Sequence, residues 1–207
     1  MKIIAECGIN WRNLKEAKLM IKKSKEVGCW ATKFQLFTKK EAPNLLFRLY
    51  LRKWEVAELF NYGKEIGQEV FFTPMYLKAI DWCEDIGVNY YKIRFKDWFE
   101  NNDKLIAKIM ETKKPTFISL NKTVLPRPLH KFLFCVPEYP AYELDYFDSR
   151  KNIIPFFNGI SDHTKSTDII RYFGPEVEYI EKHVKLNDDC PESDWSVTFE
   201  ELAEVLK

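Results

Sequence analysis

Residues 53–73, KWEVAELFNYGKEIGQEVFFT, decide the fold. Val56, Leu59, Phe60, Gly63 and Ile66 recur at helical spacing, which predicts a helix over 53–66 with one apolar face. Gly67 then stands where a left-handed cap ends a helix, and the apolar run 69–73 reads as a strand. The unit repeats on both sides. Upstream, Ala17, Met20, Ile21, Ser24 and Val27 mark a helix over 13–27, closed by Gly28 and followed by a strand at 30–37. Downstream, Ala79, Ile80, Cys83 and Ile86 mark a helix over 76–86, then Gly87 and a strand at 89–94. Gly174 suggests a fourth such junction. Repeated helix–glycine–strand units predict parallel βα architecture.

The remaining elements complete the pattern. A first strand lies at 2–7, and a helix over 102–112 (Leu105, Ile106, Ile109 inward) leads to a strand at 116–120. Only NKTVLPRPLH separates that strand from the next at 132–136, and its two prolines argue against a crossover helix. A second irregular connection, EYPAYELDYFDSRKNI, leads to a strand at 156–160. A helix over 167–173, a strand at 177–183 and a closing helix at 198–206 finish the chain. Eight parallel strands predict a short (β/α)₈ TIM barrel lacking one outer helix, with another reduced. The alternative is an open doubly wound sheet, for which no glycine-rich phosphate fingerprint speaks. The long connection TKKEAPNLLFRLYLRKW, around 38–53, reads either as a lid over the active face or as a partner-binding helix.

Composition bounds the function. The 207 residues carry 32 basic and 31 acidic side chains, intermixed, for a net charge of +1. That gives no nucleic-acid or anionic-membrane footprint. No linker-like stretch divides residues 1–207, so a single domain is expected. Five scattered cysteines without paired spacing point to reduced thiols and a cytoplasmic location. The opening run MKIIAECGI is interrupted by Glu6 and too short for a signal peptide or membrane span.

Two of the three histidines, His163 and His183, fall at the ends of neighbouring strands, where parallel α/β folds bind ligands. Neutral imidazoles so placed suggest a divalent-metal site with open positions, against the plainer reading of hydrogen-bonded core histidines. Alternation along the strands gives Lys33 and Gln35 one face, Lys92 and Arg94 another, and Glu181 the face of His183. Inward cations at strand ends call for an anionic ligand, with Thr73, Ser119 and Ser161 as neutral donors. Glu6, Glu181 and Asp194 are candidate general acids, bases or orienters of metal-bound water.

Eight motifs, in order, resemble the sialic acid synthase family: AECGIN, KFQ, FTP, YKI, FCVPEYP, ISDHT, EKH and PESD. The resemblance implies a (β/α)₈ barrel that condenses phosphoenolpyruvate with an N-acylated hexosamine such as N-acetylmannosamine, releasing phosphate and using Mn²⁺ or Mg²⁺. It assigns His163 and His183 to the metal, and Lys33, Thr73, Lys92, Ser119, Tyr139 and Ser161 to phosphoenolpyruvate. Glu6, Glu181 and Asp194 fall in the sugar and proton-transfer region, and a homodimer is possible. The chain departs from the family in four places. Trp11-Arg12-Asn13 follow Asn10 where the family has His-Asn-Gly, and Phe95-Lys96, preceded by Arg94, replace a Ser-Gly pair. Leu120-Asn121-Lys122 replace Thr-Gly-Met, and Pro137 stands for Asn or Ser. No C-terminal antifreeze-like domain is expected within 1–207. Two expectations follow. Either Arg94 and Lys96 pair with the substrate phosphate, or Phe95 turns inward and both cations face solvent. Trp11 and Arg12 either narrow the mouth in favour of a smaller or anionic acceptor, or Trp11 packs under the first helix. The competing functions are a non-catalytic barrel that retains the pocket, and a metal-dependent hydrolase or isomerase.

Overall fold

Alternation of buried residues and helix-capping chemistry set the elements of the computed structural model, which describes residues 1–41, 49–122 and 128–207. The strands are β1 (Lys2–Gly8), β2 (Ala31–Leu36), β3 (Glu69–Pro74), β4 (Tyr91–Ile93), β5 (Thr116–Leu120), β6 (His130–Cys135), β7 (Gly159–Asp162), β8 (Tyr179–Lys185) and a short β9 (Val197–Thr198). The helices are α1 (Leu14–Glu26), α2 (Lys53–Ile66), α3 (Leu77–Ile86), α4 (Phe95–Phe99), α5 (Asp103–Glu111), α6 (Glu143–Asp148), α7 (Arg150–Ile153), α8 (Asp168–Phe173) and α9 (Phe199–Leu206). Strands β1 to β8 pair in sequence order, all parallel, and β8 closes on β1. The result is a (β/α)₈ TIM barrel. β9 extends β8 outside the closed ring.

Local signals explain most boundaries. Asn13 caps α1 by accepting from the Glu16 amide at 3.0 Å, and Thr198 with Glu201 forms a capping box on α9. Gly67 and Gly87 take φ of 71° and 76°, left-handed caps that side-chain-bearing residues rarely adopt. Gly174 does not belong with them: its φ is −50°, right-handed. There a Cβ would lie 2.5 Å from the Ile170 carbonyl and 2.7 Å from the Met1 sulfur, so close approach is what requires glycine. Among the described residues no helix joins β5 to β6, and two short helices, α6 and α7, replace one full helix between β6 and β7. Both departures match the prolines and turn residues in the sequence. Helix α4 is an addition, too short to show a period. Residues 42–48, most of the predicted lid or partner helix, lie outside the described residues. After them, Leu49 and Leu51 are buried. Among the described residues no helix is long and apolar enough to cross a membrane.

The core has two parts. The larger lies between barrel and helices, and the smaller plugs the lower barrel with Ile4, Ala31, Phe71, Phe117, Leu133 and Tyr179, flanked by Trp30 and Tyr90. Phe117 stacks on Phe71 at 5.6 Å and meets Tyr179 edge-on at 4.9 Å. This apolar floor forces everything polar inside the barrel upward, to the strand ends. Phe117→Ala would remove the centre of the plug. The expected cost is about 3–5 kcal/mol in denaturant unfolding, the usual range for truncating a buried phenylalanine. A loss below about 1 kcal/mol would show that the plug is not the barrel's central packing.

Candidate active site

One layer above the plug, parallel register brings charged residues from distant parts of the chain together. Glu6 pairs across β1 and β2 with Lys33, Glu6 pairs across β1 and β8 with His183, and Ser161 pairs across β7 and β8 with Glu181. Lys92 reaches Glu181 Oε1 at 2.6 Å, with both side chains nearly inaccessible. Lys33 contacts Glu6, lies 3.5 Å from Glu181 Oε2 and donates to Thr73 Oγ1 at 2.9 Å. Ser161 Oγ donates to Glu181 Oε1 at 2.8 Å. Glu6 also accepts from the Gly8 amide at 2.7 Å and from Gln35 at 3.3 Å. Two lysines and two glutamates thus form a balanced, buried girdle.

Electrostatics follow from that burial. Desolvation by burial alone would raise the Glu181 carboxyl, but Lys33 and Lys92 outweigh it and hold the group well below the carboxylate range. Burial, helped by repulsion from Lys92 and opposed by Glu181, brings Lys33 down to about 7. Burial pushes the Cys135 thiol up to about 12, so it stays protonated in the barrel wall.

The imidazoles sit above the girdle, with ring centroids 5.5 Å apart. His163 Nδ1 donates to the Val136 carbonyl at 2.7 Å, and His183 Nδ1 donates to Glu192 Oε2 at 3.2 Å. Burial, then repulsion from His183, holds His163 well below its ordinary value and keeps it neutral. The single hydroxyl proton of Ser161 goes to Glu181, so the serine 3.5 Å from His163 Nε2 leaves that lone pair uncommitted. An Nδ1 tied to a carbonyl or carboxylate is the usual support of a metal-bound imidazole. The donors therefore fit a divalent cation that takes its other ligands from water or substrate. Among the described residues no cluster of three or more His, Cys, Asp or Glu is assembled for a metal.

Glu6, Lys33, Lys92, Arg94, Ser119, Ser161 and Glu181 line a cavity of about 50 Å³ together with Gln35, Tyr139 and both histidines. An outer cavity of about 300 Å³ shares Gln35, Arg94, Tyr139 and His183 and adds Lys96 and Glu192. Tyr139 stacks on His163 at 4.0 Å. Thr73 lies behind Lys33 as its acceptor and is not part of the lining. Asp194 is exposed on the turn Ser193–Trp195 and lines neither cavity; Glu192 is the carboxylate that reaches the site. The Glu192 amide donates to Asn10 Oδ1 at 2.8 Å, a tie between chain ends that no local pattern signals.

Two of the sequence departures resolve. Trp11 is buried edge-on against Phe34, and its indole donates to the Gly8 carbonyl at 3.2 Å. Arg12 is exposed and pairs with Glu16 at 2.7 Å, so neither narrows the mouth. Arg94 lines the cavity, but Asp97 occupies its guanidinium at 2.6 and 2.9 Å, while Lys96 is mostly exposed near Glu100. Phe95 does turn to the cavity.

Fold and site together define a (β/α)₈ barrel whose strand ends carry a girdle of paired lysines and glutamates beneath two imidazoles. Residues 38–125 match the NeuB family. The chain is 28% identical over 237 residues to an uncharacterized protein of Methanocaldococcus jannaschii. It is 26% identical over 248 residues to N-acetylneuraminate-9-phosphate synthase of Homo sapiens. Each alignment covers 99% of this chain and 68% of the relative. The crystal structure of the sialic acid synthetase of Leptospira borgpetersenii superposes with a TM-score of 0.82 at 23% identity, covering 99% of this chain and 80% of that one. Over residues 38–125 the chain is thus similar to the NeuB family, and over nearly its whole length it is similar to N-acetylneuraminate-9-phosphate synthase.

Proposed function

We propose that the protein condenses phosphoenolpyruvate with an aldehyde sugar of the N-acetylmannosamine type, giving a nonulosonate and inorganic phosphate. The observation that carries this reading is the Lys33–Glu6–Glu181–Lys92 girdle directly below His163 and His183 in one cavity. In the overall change a carbon–carbon bond joins the methylene of phosphoenolpyruvate to the aldehyde carbon. One water is consumed, the enol carbon–oxygen bond to phosphate is lost, and the former aldehyde oxygen gains a proton. Lys33 and Lys92 bind the anionic substrate, and Ser119 and Ser161 supply neutral donors. Glu181, held ionised between two lysines, orients them and is a poor proton donor. Lys33, brought down to about 7, is the group placed to hold or give a proton near neutrality. His163 and His183 would hold Mn²⁺ or Mg²⁺, which when bound supplies Lewis-acid polarisation of the aldehyde. The deciding assay is phosphate release from phosphoenolpyruvate. The expected result is release that requires both Mn²⁺ and a hexosamine; release without sugar, or none with any hexosamine, overturns the synthase reading. A second reading, a non-catalytic barrel that retains the pocket for binding, is favoured by Phe95 and Pro137 lining the cavities where the resembled family has small polar residues. Ligand binding without turnover supports it.

Lys33 also sets a pH dependence. Phosphate monoesters lose their last proton near pH ~6, so above neutrality the titrating partner is the protein. As pH rises through about 7 the unliganded site loses its ammonium. Phosphoenolpyruvate affinity measured calorimetrically is expected to fall from pH 7 to 9, and Lys33→Arg to flatten the profile. For stability the sign is opposite. Between about 7 and 10.5 the unfolded chain binds more protons at this lysine than the folded one, so its contribution improves as pH rises. An affinity that holds or rises over that window would remove Lys33 from the binding account.

A further inference from the structure

Outside the barrel wall, on the face away from the cavity, Asp162 and Lys182 form an ion pair at 3.0 Å with both side chains wholly inaccessible to solvent. Each immediately precedes a histidine of the site. Alternation along the strands explains their direction: with Ser161, His163, Glu181 and His183 inward, residues 162 and 182 must point to the helix layer. They face each other as the last register pair of β7 and β8. Beyond them the ladder between these strands stops, and His183 is in register with Glu6 of β1 instead. Backbone pairing between β7 and β8 therefore does not itself extend to the two imidazoles.

The ion pair spans that gap. Lys182 Nζ donates to the Thr164 carbonyl at 2.5 Å and to Thr164 Oγ1 at 3.3 Å, and Asp162 Oδ1 accepts from the Thr164 amide at 2.8 Å. Thr164 follows His163. The residues on both sides of His163 are thus tied to the residue just before His183. Tyr146 accepts from the His163 amide at 3.3 Å and donates to the Ser161 carbonyl at 2.9 Å, but it binds the β7 end to helix α6 and not to β8. Ion pairs this dry are costly, and apolar side chains of similar volume often serve stability as well or better. We infer that Asp162 and Lys182 are positioning residues that fix the separation of His163 and His183, and through it the affinity of the site for a divalent cation. The inference rests on the metal reading of the two histidines.

Two double variants test it. D162N/K182Q keeps donors and acceptors for Thr164 without charge, and D162L/K182M replaces the pair by apolar groups. Mn²⁺ binding is measured by titration calorimetry on the full chain at a temperature where circular dichroism shows each variant folded. D162N/K182Q is expected to stay near wild-type affinity and D162L/K182M to lose about 10–100-fold, the range typical of supporting contacts behind metal ligands. Phosphoenolpyruvate binding, which uses the girdle on the inner face, is expected to be unchanged in both. Wild-type Mn²⁺ affinity in folded D162L/K182M overturns the inference while leaving the metal reading intact. Should that variant not fold, D162N/K182M, which keeps the acceptor at 162 but removes the donor to Thr164, is compared instead: a smaller loss in the same direction supports the inference, and none overturns it. A wild-type protein that takes up no Mn²⁺ overturns both.

Discussion

Lys92→Met is expected to destabilise the barrel by about 3–5 kcal/mol and to weaken phosphoenolpyruvate binding by about 10–100-fold. The first figure is the cost of leaving one member of a buried ion pair without its partner. The second corresponds to one lost charge-assisted hydrogen bond, ~1.5–3 kcal/mol. Lys92 and Glu181 are 2.6 Å apart and almost fully buried, so water cannot take the place of the ammonium. Lys33 at 3.5 Å and Ser161 at 2.8 Å still serve Glu181, which places the stability loss toward the lower figure. Adding Glu181→Gln separates the two effects. The double variant removes the stranded charge, so its unfolding midpoint in denaturant should recover much of the loss. Affinity should not recover, because the cation itself is missing. If instead both return together, Lys92 acts on the ligand only through the stability of the girdle.

That girdle was legible in the sequence to a definite depth. Period-two alternation placed Lys33 with Gln35 and Glu181 with His183 on inward faces, and the structure brings all four to one cavity. The pairing partners were not legible. Glu6 meets Lys33, and Ser161 meets Glu181, through the registers of β1 with β2 and β7 with β8, which depend on barrel closure and not on any local pattern. Loops were less legible still. The motif PESD offers two carboxylates, and only the turn at Ser193–Trp195 and the tie from Glu192 to Asn10 decide that Glu192 faces inward while Asp194 faces solvent. Trp11 was ambiguous for a related reason. A tryptophan beside a ligand mouth packs or projects according to whether a neighbour offers an apolar wall, and Phe34 of β2 offers one. Gly67 and Gly87 were read correctly because positive φ strongly favours glycine, whereas at Gly174 it is the close approach of the Ile170 carbonyl that leaves no room for a Cβ.

His163→Ala and His183→Ala are each expected to abolish stoichiometric Mn²⁺ binding while leaving the unfolding midpoint close to wild type. Among the described residues the two imidazoles are the histidine side chains that line the cavity, and a divalent ion held by both would lose half of its protein ligands with either one gone. Stability should change little because these side chains lie above the aromatic plug, outside the packing that closes the barrel floor. The two variants should nevertheless differ. His163 carries Tyr139 stacked on its ring at 4.0 Å and is tied to Val136, so its loss frees the loop that forms one wall of both cavities. His183 is tied to Glu192, so its loss leaves a carboxylate at the mouth without its imidazole partner. Residual phosphoenolpyruvate binding should therefore survive in both variants, since Lys33 and Lys92 are untouched, while binding of the sugar acceptor should fall further in His163→Ala. Calorimetric titration of each variant with Mn²⁺, phosphoenolpyruvate and N-acetylmannosamine in turn reads all three quantities. Undiminished Mn²⁺ binding in both variants would remove the metal from His163 and His183. It would leave them as hydrogen-bonded members of the barrel wall.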